Sequence, residues 1–166
     1  MRQMGQGMMV LALILGMVLL TQFFSGVVEQ KRNPNQDPVS MVNASYVEVQ
    51  LERNRQGHYL SIGEINGEEV EFLLDTGATD VVIPAALAEE LGLRRGRASR
   101  AMTANGTVTV YNTNLAELSI GDLTLYNVKA SINPGMHSGG ILLGMSALKK
   151  VEFSQRGDIL TLRQFL

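Results

Sequence analysis

The chain has 166 residues, a formal net charge of −2, two histidines and no cysteine. That length leaves room for one modest domain beyond a terminal segment, and the near-neutral charge offers no overall basic field for nucleic acid. Without cysteine there is no disulfide, thiolate metal site or thiol nucleophile, and His58 and His137 lie too far apart for a His-x-x-x-His or His-Glu metal pattern.

In chain order, the first element is apolar. No charge occurs from Gln3 to Val28, and Gly7 to Phe24 reads GMMVLALILGMVLLTQFF. Eighteen helical residues cover about 27 Å, close to the hydrocarbon thickness of a bilayer. A cleaved signal needs small residues at its exit, but Phe23 and Phe24 stand there, so residues 7–28 are expected as a retained transmembrane anchor behind a stub, 1–6. Arg2 and the terminal amine on one side nearly balance Lys31 and Arg32 on the other. The short stub resembles an uncleaved signal anchor, which keeps the stub cytoplasmic and sends the domain across. Residues 29–45 are polar, contain Pro34 and Pro38, and read as a flexible linker.

From Tyr46 the apolar period becomes two: Tyr46, Val47, Val49 and Leu51; Tyr59, Leu60, Ile62 and Ile65; Val70, Phe72 and Leu74. Further strands are expected over 107–118, 123–132, 140–143, 151–153 and 159–162. Asn66-Gly67, Asn105-Gly106 and Gly121-Asp122 supply hairpin turns, which implies antiparallel pairing. Pro84 to Leu91 reads as a helix closed by Gly92, and 146–150 as a second, very short one. Arg94, Arg95, Arg97 and Arg100, with no interleaved aromatics, read as a solvated loop. The domain over 46–166 is therefore expected to be all-β, a small closed or folded-over barrel with one or two short helices.

The strand ending at Leu74 runs into Asp75-Thr76-Gly77-Ala78, and the chain resumes with Val81-Val82-Ile83. Asp-Thr-Gly alone is compatible with an Asx turn. Its apolar flanks are unusual for a polar loop, because a carboxylate lodged among them must be hydrogen-bonded, paired or protonated.

With a later apolar run, Ile141-Leu142-Leu143-Gly144-Met145-Ser146-Ala147-Leu148, about 65 residues on, the sequence resembles the retroviral-type (retropepsin-like) aspartic peptidases. The apolar N-terminus, polar linker and Leu-Leu-Gly-Met-Ser ending further resemble a group of bacterial single-pass proteins with this domain. The resemblance covers 46–166 and implies a small closed antiparallel β-barrel of retropepsin type. It makes Asp75 the catalytic carboxylate, with Thr76 bracing paired loops, Gly77 contacting substrate through its backbone and Ala78 completing the loop. Ile141, Leu142, Leu143 and Gly144 form the supporting motif. Met102, Thr103, Ala104, Asn105, Gly106 and Thr107 match the hairpin flap that closes over substrate. It also implies an extended peptide or protein substrate and catalytic water with no cofactor or metal; the charge reading adds no nucleic acid, and the anchor and stub, with the resemblance to bacterial proteins, lead to an expected place in the bacterial inner membrane with the domain in the periplasm.

Peptide hydrolysis on this plan needs one carboxylate to take a proton from water and a second, protonated, to donate one. Carboxylates a few ångströms apart share a proton because like charges resist joint ionisation, as is general for aspartic proteases. Of Asp37, Asp75, Asp80, Asp122 and Asp158, only Asp75 carries the Thr-Gly pair. The second carboxylate is thus expected from a twofold homodimer. The sequence departs from the retroviral pattern at Thr79 and Met145, where an Asp–Arg ion pair often supports the dimer. Asp80 is expected either in a solvated loop or lining the cleft. The alternative reading is a non-catalytic membrane-anchored module for peptide binding or dimerisation, with Asp75 holding only a turn.

Overall fold

The computed structural model describes residues 2–103, 106–137 and 139–166, with side chains from Gly7 onward. In chain order the elements are α1 (Arg2–Arg32), β1 (Val39–Val42), β2 (Tyr46–Glu52), β3 (Leu60–Ile65), β4 (Glu68–Leu74), β5 (Val81–Pro84), α2 (Ala85–Glu90), β6 (Ala98–Thr103), β7 (Gly106–Ile120), β8 (Leu123–Asn133), β9 (Ile141–Leu143), α3 (Met145–Leu148), β10 (Glu152–Arg156) and β11 (Ile159–Phe165).

Seven strands form one sheet in the order β3-β4-β9-β5-β8-β7-β6, and β3 also pairs with β7 through Glu64↔Ser119 and Ile65↔Leu118. That last pairing joins six of the strands into a ring, so the all-β expectation holds and the sheet closes on itself. The Asn66-Gly67 turn sets both residues at positive φ, 53° and 85°, and starts the β3–β4 ladder at Ile65↔Glu68. Period-two alternation then sends Val70 and Phe72 inward to meet Leu115, Ile132 and Ile141, all buried. Two ladders are parallel, β4 with β9 and β5 with β8, where the hairpin turns had led to an expectation of antiparallel pairing. Hairpin chemistry reports only on neighbours in sequence; these two pairs join strands far apart in the chain.

β1, β2, β11 and β10 make a second, antiparallel sheet against the barrel, with Val49, Leu51 and Leu162 in the shared core. β1 lies inside 29–45, the stretch expected as a flexible linker. That stretch is instead tied to the domain: β1 pairs with β2 from Val39↔Gln50 to Val42↔Val47, and Asn33 and Asn35 are buried. Its low apolar content hid this, because the contacts are polar and to backbone.

Smaller differences are local. Pro84 ends β5 and stands at the N-cap of α2 rather than inside it. α3 begins at Met145. Arg100 falls in β6, opposite Thr109, while Arg95 pairs with Glu89 at 2.7 Å and lies 5.6 Å from the Tyr111 ring centre. The aromatic partner was invisible in sequence because the hairpin brings it from 16 residues away.

α1 is apolar around its whole circumference: Leu11, Leu15 and Phe23 are all exposed. Gly7–Arg32 is long and apolar enough to cross a membrane, with a mean hydropathy of 2.2 in its best window and none of that window buried.

Candidate active site

The β4–β9 ladder, Phe72↔Ile141, Leu73↔Leu142 and Leu74↔Leu143, draws together the two halves of the motif. Leu142 also pairs with Val82 of β5, so β9 is clasped between the strands that enter and leave the Asp75 loop. The ladder continues past the strand end: the Asp75 amide donates to the Leu143 carbonyl at 3.2 Å. Asp75 is thereby placed by backbone bonds on one side, and on the other by Leu74, whose amide donates to the Tyr59 carbonyl at 3.0 Å.

The loop turns back at once. The Gly77 amide donates to Asp75 Oδ1 at 2.8 Å and the Ala78 amide to the Asp75 carbonyl at 3.2 Å. This is an Asx turn, so the bland reading of the tripeptide describes its local geometry. Two features go beyond such a turn. Oδ2 of Asp75 has no partner among the described residues, and the side chain is half-buried at the mouth of a cavity.

Thr76 and Gly77 are exposed and Ala78 is half-buried. Ile141, Leu143 and Gly144 are buried beneath the loop, with Leu142 partly so. Gly144 is required by close approach: a Cβ there would overlap the carbonyl oxygens of Asp80 and Ala78. The Met145 amide donates to Ala78 O at 2.8 Å and the Ser146 amide to Thr79 O at 2.9 Å. Backbone bonds therefore join the loop to α3 at the two positions where the retroviral ion pair is missing. Asp80 is neither free nor in the cavity wall; it pairs with Lys129 at 2.9 Å.

The cavity, about 300 Å³, is lined by Tyr59, Asp75, Thr76, Leu148, Phe153 and Leu160 among others. Phe153, on the edge strand β10, is 40% exposed, so an apolar ring and the aspartate share one open surface. The Tyr59 hydroxyl is buried with no partner among the described residues. Sequence reading placed Tyr59 and Phe153 in strands and gave neither a part in the site. Their period-two positions carried no further signal, since Tyr59 reaches the cavity through its backbone bond to Leu74 at the start of β3 and Phe153 through the fold of the second sheet over the loop.

Of the residues expected to form a flap, Met102, Thr103, Gly106 and Thr107 lie on the β6–β7 hairpin, with Met102↔Thr107 and Thr103↔Gly106 in register. Met102 is 91% exposed. β8 begins to pair with β7 only at Tyr111↔Ile132, so residues 106–110 of β7 pair with β6 alone and project from the barrel as a two-stranded arm. Ala104 and Asn105 lie outside the described residues. Among the described residues no group of three or more acidic or histidine side chains could hold a metal ion, and His137 is exposed.

Residues 62–150 match the family described as "gag-polyprotein putative aspartyl protease". A retropepsin-like aspartic protease from Rickettsia conorii superposes with a TM-score of 0.59 at 26% identity, covering 78% of this chain and 96% of that one. The EIAV protease complexed with the inhibitor HBY-793 is similar at 22% identity and a TM-score of 0.47, over 58% of this chain and 89% of that one. A Sinorhizobium protein described as "Uncharacterized protein in cobV 5'region" is 34% identical over 120 residues, 70% of this chain. The chain spans about half the length, 52%, of that curated relative.

Proposed function

The chain belongs to the retropepsin-like aspartic protease family, and from that premise we propose that it is an aspartic endopeptidase whose Asp75 works with Asp75 of a second copy. The observation that carries this reading is the Asp75 carboxylate itself: one oxygen is held by the Gly77 amide at 2.8 Å, the other has no partner among the described residues, and the side chain lines a half-open cavity. A turn aspartate needs only the first oxygen. The free oxygen is what a shared water and a second carboxylate require.

In the proposed reaction one aspartate, ionised, takes a proton from the water as that water attacks the peptide carbonyl. The other, protonated, donates to the carbonyl oxygen; as the resulting diol collapses and the C–N bond breaks, it takes a hydroxyl proton back while the first aspartate passes the proton it took from water to the leaving nitrogen. Thr76 and Gly77, exposed beside Asp75, are available to the partner loop and to substrate backbone. The substrate binds extended, as an added strand, beneath the β6–β7 arm. Met102, solvated in the free chain, packs on it when the arm closes. No cofactor enters this scheme.

α1 serves as a single-pass anchor, with the N-terminal stub in the cytoplasm and the domain on the far side of a bacterial inner membrane. Its length and uniform apolarity support the anchor; the orientation rests on the stub alone. Labelling a cysteine placed at Asp37 from either side of intact membranes tests it.

Cleavage of a peptide library by the full chain, beside the Asp75→Asn variant, tests the reaction. Loss of cleavage with retention of fold is expected. Equal cleavage by both proteins would falsify the assignment.

A further inference from the structure

The junction between α1 and the barrel is a clamp made of polar side chains. Arg32, in the last turn of α1, grips Glu71 of β4 with both terminal nitrogens, at 2.8 and 2.7 Å, and Asn33 adds a third bond to the same carboxylate at 3.1 Å. The Arg32 carbonyl accepts the Asn54 side-chain amide at 2.8 Å. Asn35 is 5% exposed and makes five bonds, four of them to Glu52, Leu60 and Ile62. Its Nδ2 donates to the carbonyls of Glu52 and Leu60 at 2.9 and 2.6 Å, its Oδ1 accepts the Glu52 amide at 2.6 Å, and its carbonyl accepts the Ile62 amide at 3.0 Å. Asn33, fully buried, accepts the Asn35 amide at 2.9 Å. Releasing these groups without water to replace the bonds is unfavourable, so the helix and the barrel move together.

The clamp leaves little height between the apolar helix and the aspartate. Val28 to Arg32 is about 6 Å of helix. Glu71 lies on β4 and Asp75, four residues on, just past its end, about 13 Å away at full extension. Adding the reach of the Arg32–Glu71 pair, Asp75 stands at most about 30 Å from the end of the apolar segment whatever the strand's tilt, a distance that about nine extended residues cover.

We propose that this clamp selects substrate by height: the site acts on extended segments of other proteins that lie within about ten residues of the same membrane face. The inference rests on the peptidase and anchor readings above. A flexible linker would let the site sample all heights; a welded one presents it at a single height, raising its effective concentration for juxtamembrane sequence only.

The test uses the full chain in phosphatidylcholine–phosphatidylglycerol vesicles, with single-pass reporters carrying one library-selected sequence at about 5, 15 and 30 residues from the bilayer. The same sequence is also supplied as a soluble peptide. The native chain is expected to cleave the nearest site at least about tenfold faster than the farthest. Inserting about 20 Gly/Ser residues between Val28 and Glu29 keeps the clamp but frees the anchor, and is expected to even out the three rates. Soluble-peptide cleavage stays the same in both proteins. Equal native rates at all heights, or a preference that survives the insertion, overturns the proposal. Failure to cleave even the soluble peptide overturns the peptidase reading, and the proposal about substrates falls with it. The clamp itself has an activity-independent readout. The chain has no cysteine, so a dye at Asp122→Cys reports energy transfer to a membrane acceptor. A single narrow distance that broadens on insertion is expected, and a native distribution as broad as the inserted one overturns the clamp.

Discussion

The Val81 amide donates to Ser146 Oγ at 2.9 Å, and that hydroxyl donates to the Lys129 carbonyl at 2.6 Å. One serine thus ties the exit of the Asp75 loop to α3 and to β8. Ser146 is 4% exposed and Val81 fully buried. Ser146→Ala leaves a buried donor and a carbonyl unpaired, and is expected to lower unfolding free energy by about 1–3 kcal/mol. Denaturant unfolding of the full chain in detergent measures it; a midpoint equal to that of the native chain would mean that the loop is held elsewhere.

Asp75→Asn keeps an oxygen for the Gly77 amide, so its unfolding midpoint should be near native. Peptide hydrolysis should fall by at least 10²–10⁴-fold, the range about which general acid–base groups contribute. Mixing native and variant chains distinguishes a shared site from an independent one. If both aspartates are needed, an equal mixture that exchanges subunits retains about one quarter of the native activity per total chain, against one half for independent chains.

Gly144→Ala is expected to be among the most damaging single-methyl changes in the chain. The added carbon meets the backbone oxygens of Ala78 and Asp80, which cannot rotate away as a side chain can. Overpacking of this kind costs about 1–3 kcal/mol or more. Here it also displaces the loop, so activity should fall further than the stability loss accounts for, as a comparison of the two at reduced temperature can show.

Glu48, 5% exposed on β2, accepts two bonds from Arg163, at 2.6 and 3.0 Å. The Arg163 bonds, with a smaller contribution from Gln50, hold its carboxyl below the usual carboxylate range. A carboxyl lowered in the folded state contributes stability above its unfolded pKa, and loses it as pH falls through the folded value. The stability advantage of the native chain over Glu48→Gln should therefore be full near neutral pH and shrink below about pH 4.5, the unperturbed value. Thermal unfolding of both proteins from pH 7 to pH 3 follows it; a gap that stays constant across that range contradicts the assignment.

The Tyr59 hydroxyl is buried without a partner among the described residues. Tyr59→Phe removes an unsatisfied group and keeps the ring, so it should be neutral or stabilising by up to about 1–3 kcal/mol. A clear destabilisation would show that the hydroxyl has a bonded water or partner in solution.

Much of the barrel was readable because its signals are local. Alternating apolar residues and the Asn66-Gly67 turn determine β3 and β4 between them, since side-chain direction in a strand follows from position alone. The polar clamp at Asn33 and Asn35 was not readable. Asparagine and arginine after an apolar run look like solvated linker, and their partners Glu52, Leu60 and Glu71 lie 17 to 39 residues away.

By itself the sequence determined one apolar helix, one β-domain and one Asp-Thr-Gly per chain, because composition, period and motif need no knowledge of what touches what. Tertiary structure decided what stands around Asp75. Parallel pairing with β9 sets its backbone, the start of β3 brings Tyr59 and the second sheet brings Phe153 to its cavity, and the Arg32–Glu71 grip binds its strand to the helix. Each of these joins residues distant in the chain, so their energies depend on closure of the whole barrel.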